Sequence, residues 1–596
     1  MMMKTLVLLV GISLSLTLGA QAQAARIFLD GDFGEWARLD PAHTDASGDA
    51  QAGNVDFDRL WIANDREYLF LRFELGVETL IQEANQIVLY LDTDDDPATG
   101  QPIHGIGAEL SWAFGQRTGV FTVGPVSRQI GHAALGIVTA PAVSAAAFEV
   151  AFERDALPDG VHALFESETF RLVLDDEAGA DRLPDAPGGI AYTFDEQEPL
   201  DLRAPVLLQK QNAADVRVLS YNVQRDAFFI QSRNPSFNRL LRAIDPEIIG
   251  FQEVLDHSAA ETAALVEAAL PSAPGQTWHA ARIDPDLVLV SRYPVTQCFS
   301  IPGGFAGDAN AAFVLDMQEP WGTDLLLLSA HPPCCRNDAA RQRDIDAMMA
   351  FVRDARAVGG PLDLDPETPI IILGDMNLVG FAEQLNTLLT GAIVNTGAFG
   401  PAFAPDWDGS ALADLMPPHV ALPMTFTWYN ANSNFHPGRL DFIVYTDSVL
   451  EPGSRFVLFT PAMPPDSLAA YGLTAADATI ASDHLPVVGD FRYLPTASTA
   501  VDVAERGLPD AYLLASNYPN PFNLSTRITY ALPAAGPVRL VIYDALGRAV
   551  AMLADGPKPA GRHTVTWDAR NRPSGTYFYR LEAGDLLLTR AMLLLR

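Results

Sequence analysis

The feature that most constrains this chain is a series of short apolar runs, each bounded by polar residues. Ile370-Ile371-Ile372-Leu373-Gly374 leads into Asp375-Met376-Asn377. Three β-branched residues followed by a leucine read as a buried strand, and Gly374 frees the backbone just before the polar pair. The pattern recurs. Val216–Leu219 ends in Ser220-Tyr221-Asn222, Ile248-Ile249-Gly250-Phe251 in Gln252-Glu253, and Leu325–Leu328 in Ser329-Ala330-His331. Arg439-Leu440-Asp441 precedes Phe442–Tyr445, and Ser482-Asp483-His484 comes last. A sheet presents its strand ends at one rim, so these runs predict convergence of Asn222, Glu253, His331, Asp375, Asn377, Asp441, Asp483 and His484. A set rich in oxygen donors, with two imidazoles, suits hydrolysis assisted by a hard divalent cation.

At 596 residues the chain exceeds a single core, and its 48% hydrophobic content supplies several. The formal net charge of −35, with lysine only at positions 4, 210 and 558, disfavours loose association with polyanions. Lys4, the apolar stretch Leu6–Leu18 and the small-residue steps Ala20-Gln21-Ala22 and Ala22-Gln23-Ala24 read as a secretory signal peptide over 1–24. An uncleaved anchor is the alternative, but the stretch is short for a membrane span. No other candidate span follows, so a secreted or cell-surface protein exported through the periplasm is expected. The cysteines are Cys298, Cys334 and Cys335. Zinc at Cys334-Cys335 lacks a second pair at the required spacing, and a local disulfide bracing the His331 loop is the plainer expectation.

Residues 26–205 alternate apolar and polar positions in short runs, as in Leu69–Phe73 and Ile87–Leu91, and predict an antiparallel β-sandwich. Asp92, Asp94 and Asp96 alternate in an acidic loop that offers oxygen ligands to calcium; a solvated hairpin turn is the plain alternative. With the opening Leu29–Trp36, this loop resembles family-nine-type carbohydrate-binding modules, which implies an accessory domain with glycan as a candidate partner. Residues 215–493 interleave strand-like runs with helical ones at Ala259–Leu270 and Ala339–Val358, an α/β layered pattern. Residues 494–512 read as a linker. Residues 513–596 read as all β and carry ten Lys+Arg against five Asp+Glu on an otherwise acidic chain. With Asn517–Asn523, Asp544-Ala545-Leu546-Gly547-Arg548 and Gly575-Thr576-Tyr577, this tail resembles the type A sorting domain of the Por (type nine) secretion system. That resemblance implies an immunoglobulin-like sandwich and the secretion machinery as partner.

The central motifs, with Ser291-Arg292-Tyr293-Pro294 between the second and third, resemble in order those of the endonuclease/exonuclease/phosphatase superfamily. The implied fold is a four-layer α/β sandwich with two mixed sheets. The resemblance implies a hydrolase of phosphodiesters or phosphomonoesters that depends on magnesium or manganese. Glu253 is the first-choice metal ligand, with Asn222 and Asp483 nearby, because magnesium takes one or two carboxylates and keeps several waters. Family resemblance gives Asp375 the positioning or deprotonation of water and gives Asn377, with Asn222, the holding of substrate. It gives Asp441 the orientation of His484, His484 the stabilisation of charge on phosphorus, and His331 assistance to the leaving oxygen. Singly, each residue also reads as a cap or turn.

Substrate identity is left open between nucleic acid, a phospholipid head group and a small diester. Residues 215–493 hold fifteen Arg, no Lys and thirty-three Asp+Glu, a poor charge balance for duplex binding unless arginines cluster. Arg225, Arg233, Arg239 and Arg242 are the candidate cluster. The sequence therefore predicts a secreted phosphoesterase. An extracellular nuclease is the first alternative, and a glycan-binding adhesin with an idle central domain the second.

Overall fold

The computed structural model describes residues 27–196, 206–494 and 512–594, apart from 47, 51–53, 180, 284–285, 304–308, 363, 515–516, 518–524, 571 and 585. The signal peptide expected at 1–24 and nearly all of the 494–512 linker lie outside these residues. Among the described residues, no helix is long and apolar enough to cross a membrane.

The N-terminal region forms a five-stranded and a seven-stranded sheet, and every strand pairing in them is antiparallel. The inward residues of both sheets, among them Leu71, Phe73, Leu89, Trp112, Phe148 and Leu172, meet in one core. The strand Ile87–Asp92 is buried along its whole length instead of alternating. Its second face is covered by the small hairpin Gln101–Ile103/Ile106–Ala108, through Ile106 and Ala108.

The central region holds two six-stranded mixed sheets. In one, Val216–Asn222 runs parallel to Ile248–Gln252 and antiparallel to Val487–Tyr493. In the other, Thr323–His331 runs parallel to Ile370–Asp375, which runs antiparallel to Asp441–Tyr445. An antiparallel strand starts where its neighbour ends. The C-terminal ends of the parallel strands therefore share a rim with the approaches to Asp441–Tyr445 and Val487–Tyr493. Residues of the facing sheet surfaces, such as Val218, Ile248, Leu325, Leu373 and Ile443, pack together, and a Cβ on Gly250 would lie 2.4 Å from Leu373. Helices Asn234–Ile244 and Ala259–Ala269 cover the outer face of the first sheet, through Leu240 and Val266. The second of these helices starts at a capping box, with Ser258 and Glu261 bonded reciprocally. Asp338–Arg356 and Ala382–Thr390 cover the second sheet.

The N-terminal sheets do not float on a tether. Trp36, Trp61 and Phe70 belong to the same apolar core as Val216 and Leu415 of the central region. Ser144 N–H donates to the Gly380 carbonyl, and the Ala382 N–H donates back to Ser144 Oγ, both at 2.9 Å. His436 of the central region sits in the seam, its ring 5.3 Å from that of Trp112. The tail builds a three-stranded and a four-stranded sheet around Tyr530, Ile542, Trp567 and Tyr579.

Candidate active site

The rim gathers the polar strand ends as the runs predicted. Asp375 ends its strand directly opposite Asp441 in register. Its Oδ2 lies 3.4 Å from Nε2 of both His331 and His484. Each imidazole is held from behind by a second carboxylate: His484 Nδ1 is 2.9 Å from Asp441 Oδ2, and His331 Nδ1 is 2.6 Å from Asp286 Oδ2. Burial works against charge on both rings, but the flanking carboxylates outweigh it. Asp441 and Asp375 lift His484 to about 10, and Asp286 with Asp375 raise His331 well above its ordinary value. The two imidazoles in turn hold the buried Asp375 carboxyl below its usual range. Burial raises Asp441, and His484 pulls it back.

Backbone strain fixes the geometry. Glu253 (φ 61°) and Asn377 (φ 48°) both occupy the left-handed region, at ~1–3 kcal/mol each. The Glu253 N–H donates to Asp286 Oδ1 at 2.7 Å, so one carboxylate orients both the strained Glu253 and His331. Asp286 was missed in the sequence because it precedes its apolar run, Leu287–Val290, whereas most of the other candidates follow theirs. Asn377 N–H donates to Asp375 Oδ1, and Asn377 Nδ2 to the Pro332 carbonyl, both at 3.0 Å. Gly374 is required by close approach: at φ 141°, an added Cβ would lie 2.0 Å from the Ala330 carbonyl oxygen. Next to His331, the local disulfide joins Cys334 to Cys335, and Cys298 lies outside it.

Three groups of expected residues are placed as follows. Asn222, expected at the metal and substrate, is buried, with Nδ2 donating to Glu253 Oε1 and Asp375 Oδ2 at 3.1 Å and Oδ1 accepting from the Gln224 N–H. It braces two carboxylates from beneath. The arginine cluster is spent on structure: Arg239 pairs with buried Asp477, Arg233 donates to Gln224 and Arg242 to the Ala269 carbonyl, which leaves Arg225 at the cavity. In the acidic loop, Asp96 caps the Ala98 N–H, while oxygens of Asp92, Asp94 and Glu109 lie within 4.8 Å of one another.

Glu253, Asp375, Asn377, His331, Asp483 and His484 line a cavity of about 700 Å³. Glu253 and Asp483 supply the hard oxygen donors that magnesium prefers. Each Glu253 oxygen accepts one hydrogen bond, Oε1 from Asn222 and Oε2 from the Arg225 N–H, and so keeps a lone pair for a cation.

Residues 219–484 match the endonuclease/exonuclease/phosphatase family, and residues 516–594 match a secretion system C-terminal sorting domain. No curated protein matches the chain. Among solved structures, ANGEL2, a 2',3'-cyclic phosphatase in complex with adenosine-2',3'-vanadate, is similar at 16% identity over 48% of this chain and 97% of that one, with a TM-score of 0.32. An endonuclease/exonuclease/phosphatase family protein from Leptotrichia buccalis is similar at 14% identity over 46% and 99%, with a TM-score of 0.31. Sphingomyelinase C from Streptomyces griseocarneus is similar at 14% identity over 46% and 99%, with a TM-score of 0.27. The sorting tail marks the chain for export, to the cell surface or the medium. The chain thus carries an endonuclease/exonuclease/phosphatase family domain followed by a secretion-system sorting domain.

Proposed function

We propose that this is a secreted, divalent-metal-dependent phosphoesterase that cleaves its ester by attack of water. The observation that supports this most is Asp375 Oδ2, equidistant at 3.4 Å from two imidazoles that each have a carboxylate behind them. Charge is thereby aimed at one small volume where a phosphoryl group can sit. Glu253 and Asp483 are the residues that would hold magnesium or manganese, which when bound neutralises phosphate charge. With two imidazoles on one oxygen, Asp375 is a weak base, so orienting the attacking water suits it better than stripping a proton from it. His484, fixed by Asp441, donates toward the phosphoryl oxygens. His331, fixed by Asp286, hands a proton to the leaving oxygen. Asn377, clamped by Pro332 and Asp375, offers its remaining amide hydrogen to the substrate.

A nuclease acting on duplexes fits less well, because among the described residues Arg225 and Arg336 are the lysine or arginine residues at the cavity and counterion release needs several such contacts. We read the central layering as a four-layer α/β sandwich over 215–493, and the flanking regions, 26–205 and 513–596, as β-sandwiches, the last immunoglobulin-like. Calcium in the N-terminal region is assigned to Asp92, Asp94 and Glu109. The test is the purified full chain with magnesium, screened against DNA, RNA, sphingomyelin and bis-p-nitrophenyl phosphate; no turnover of any of them overturns the proposal. Glu253→Gln raises the magnesium concentration needed for half-maximal rate, and an unchanged titration removes Glu253 as ligand.

A further inference from the structure

We infer that the N-terminal sheets form a working wall of the catalytic cavity, and that this wall selects a small phosphate ester carrying an uncharged apolar group. The inference rests on the reading of the cavity as a phosphate-ester site and narrows its substrate class.

The connection between strands Tyr68–Thr79 and Ile87–Asp92 carries Leu80, Ile81, Gln82 and Glu83 to the same cavity as Glu253 and His331. This segment is fixed from three sides. Asn85 Nδ2 donates to the carbonyls of Leu80 and Ile81, both at 2.7 Å. Arg117 Nη1 donates to the Gln82 carbonyl at 2.6 Å while its guanidinium stacks 4.1 Å over Phe435. The N–H of His436, from the central region, donates to Gln82 Oε1 at 2.8 Å. Glu83 meets Arg336 at 3.1 Å, beside the Cys334–Cys335 disulfide. A wall held this way is in place before substrate arrives, so contact with it requires no ordering at binding.

Its chemistry differs from that of the floor. Carboxylates and imidazoles gather at the strand ends. Leu80 and Ala142 on the N-terminal side and Val379, Trp428 and Leu440 on the central side line the same space. Of the two cavity arginines, Arg336 is already engaged by Glu83. The bound molecule therefore brings one phosphoryl group to the floor and an apolar, compact remainder to the walls. A polyanionic duplex would meet two arginines, Arg225 and Arg336, the second sharing its charge with Glu83.

The experiment uses the full-length protein with magnesium and two ligands that cannot be hydrolysed as esters, phenylphosphonate and methylphosphonate, titrated calorimetrically. They share the phosphoryl group and differ only in apolar size. Phenylphosphonate is expected to bind at least about tenfold tighter, the discrimination a few buried methylene-sized contacts give. Leu80→Glu should collapse that ratio toward one, and Leu80→Ala should lower it part of the way, with unchanged thermal unfolding confirming that the wall still folds. No binding of phenylphosphonate, a ratio near one in the unmutated protein, or a ratio untouched by both substitutions overturns the inference. The enzymatic reading fails separately: absence of turnover on all four substrates of the screen removes it and leaves the binding ratio to judge the wall. Cleavage of duplex DNA as efficiently as the small diester also overturns the inference.

Discussion

Acidification is expected to undock the N-terminal sheets through His436. This ring is almost wholly buried in the seam between the N-terminal and central regions. Nδ1 lies 3.3 Å from Thr139 Oγ1, while Nε2 is buried without a hydrogen-bond partner among the described residues. Trp112 covers it at 5.3 Å, the His132 ring lies 6.2 Å away, and the nearby charge is the Arg117 guanidinium. Burial first, then His132 and Arg117, depress its pKa from 6.5 to about 3. Between these values the opened state binds a proton that the docked state refuses, so docking is strongest above pH 6.5 and weakens as pH falls. At pH 5 the loss is about 2 kcal/mol, a thirtyfold change in the opening equilibrium. Hydrogen exchange reads this directly, because the His436 amide itself donates to Gln82 across the seam. After correction for intrinsic rates, protection of that amide should drop about twenty-five-fold from pH 7 to pH 5 in the unmutated protein, and far less in His436→Asn. The contrast between the two proteins is the quantity that counts. Glu149, raised to about 8 by burial against its three N–H donors, loses stability in the opposite sense, as pH rises from 4.5 toward 8. Equal loss of protection in both proteins, or no loss in either, would refute the reasoning.

Three further outcomes follow from the site and its supports. Asp375→Asn and His484→Ala should each lower turnover by roughly 10²–10⁴, and near-normal rates in both would remove their assigned roles. Asp286→Asn keeps an acceptor for the Glu253 N–H but sets an amide against His331 Nδ1; kcat should fall by ~10²–10⁴ with the basic limb of its pH profile displaced to lower pH, and an unmoved profile would show that Asp286 only braces the loop. Gly374→Ala forces a Cβ to 2.0 Å from the Ala330 carbonyl oxygen at φ 141°. It should destabilise the central domain by about 3 kcal/mol or more, and an unchanged melting temperature would contradict the close approach.

The rim was legible because strand ends are local: an apolar run and the polar residue that stops it lie within a few positions of each other. Asp375, Asn377 and His331 were found that way. What escaped depends on distance along the chain. Arg239 sits at helical spacing from Arg242 and looked like part of a cationic face, but its partner Asp477 lies 238 positions away. Glu109 joins the acidic loop from beyond the small hairpin, and no spacing rule connects it to Asp92. Trp36, Trp61 and Leu80 fall within the segment read as a sandwich, where a core position and a docking position have the same hydrophobic pattern. Asn222 was legible in type and place, but its hydrogen bonds were not, because Glu253 and Asp375 lie 31 and 153 positions away.

An acidic chain that handles phosphate poses an electrostatic problem, and the rim shows how it is met. Around the two imidazoles stand the carboxyl groups of Glu253, Asp286, Asp375, Asp441 and Asp483. Counted as formal charges, five anions against two cations leave the site negative and hostile to a phosphate. A divalent cation held at Glu253 and Asp483, as proposed, would bring that balance close to neutral. It would thereby reduce the repulsion that the substrate's phosphate meets. The same surplus explains the placement of the carboxylates. Asp286 and Asp441 stand behind the histidines, where they keep protons on the rings, while Glu253 and Asp483 face the cavity. Selectivity is left to the neutral walls, since a net charge of −35 offers a long polyanion little purchase elsewhere on the molecule.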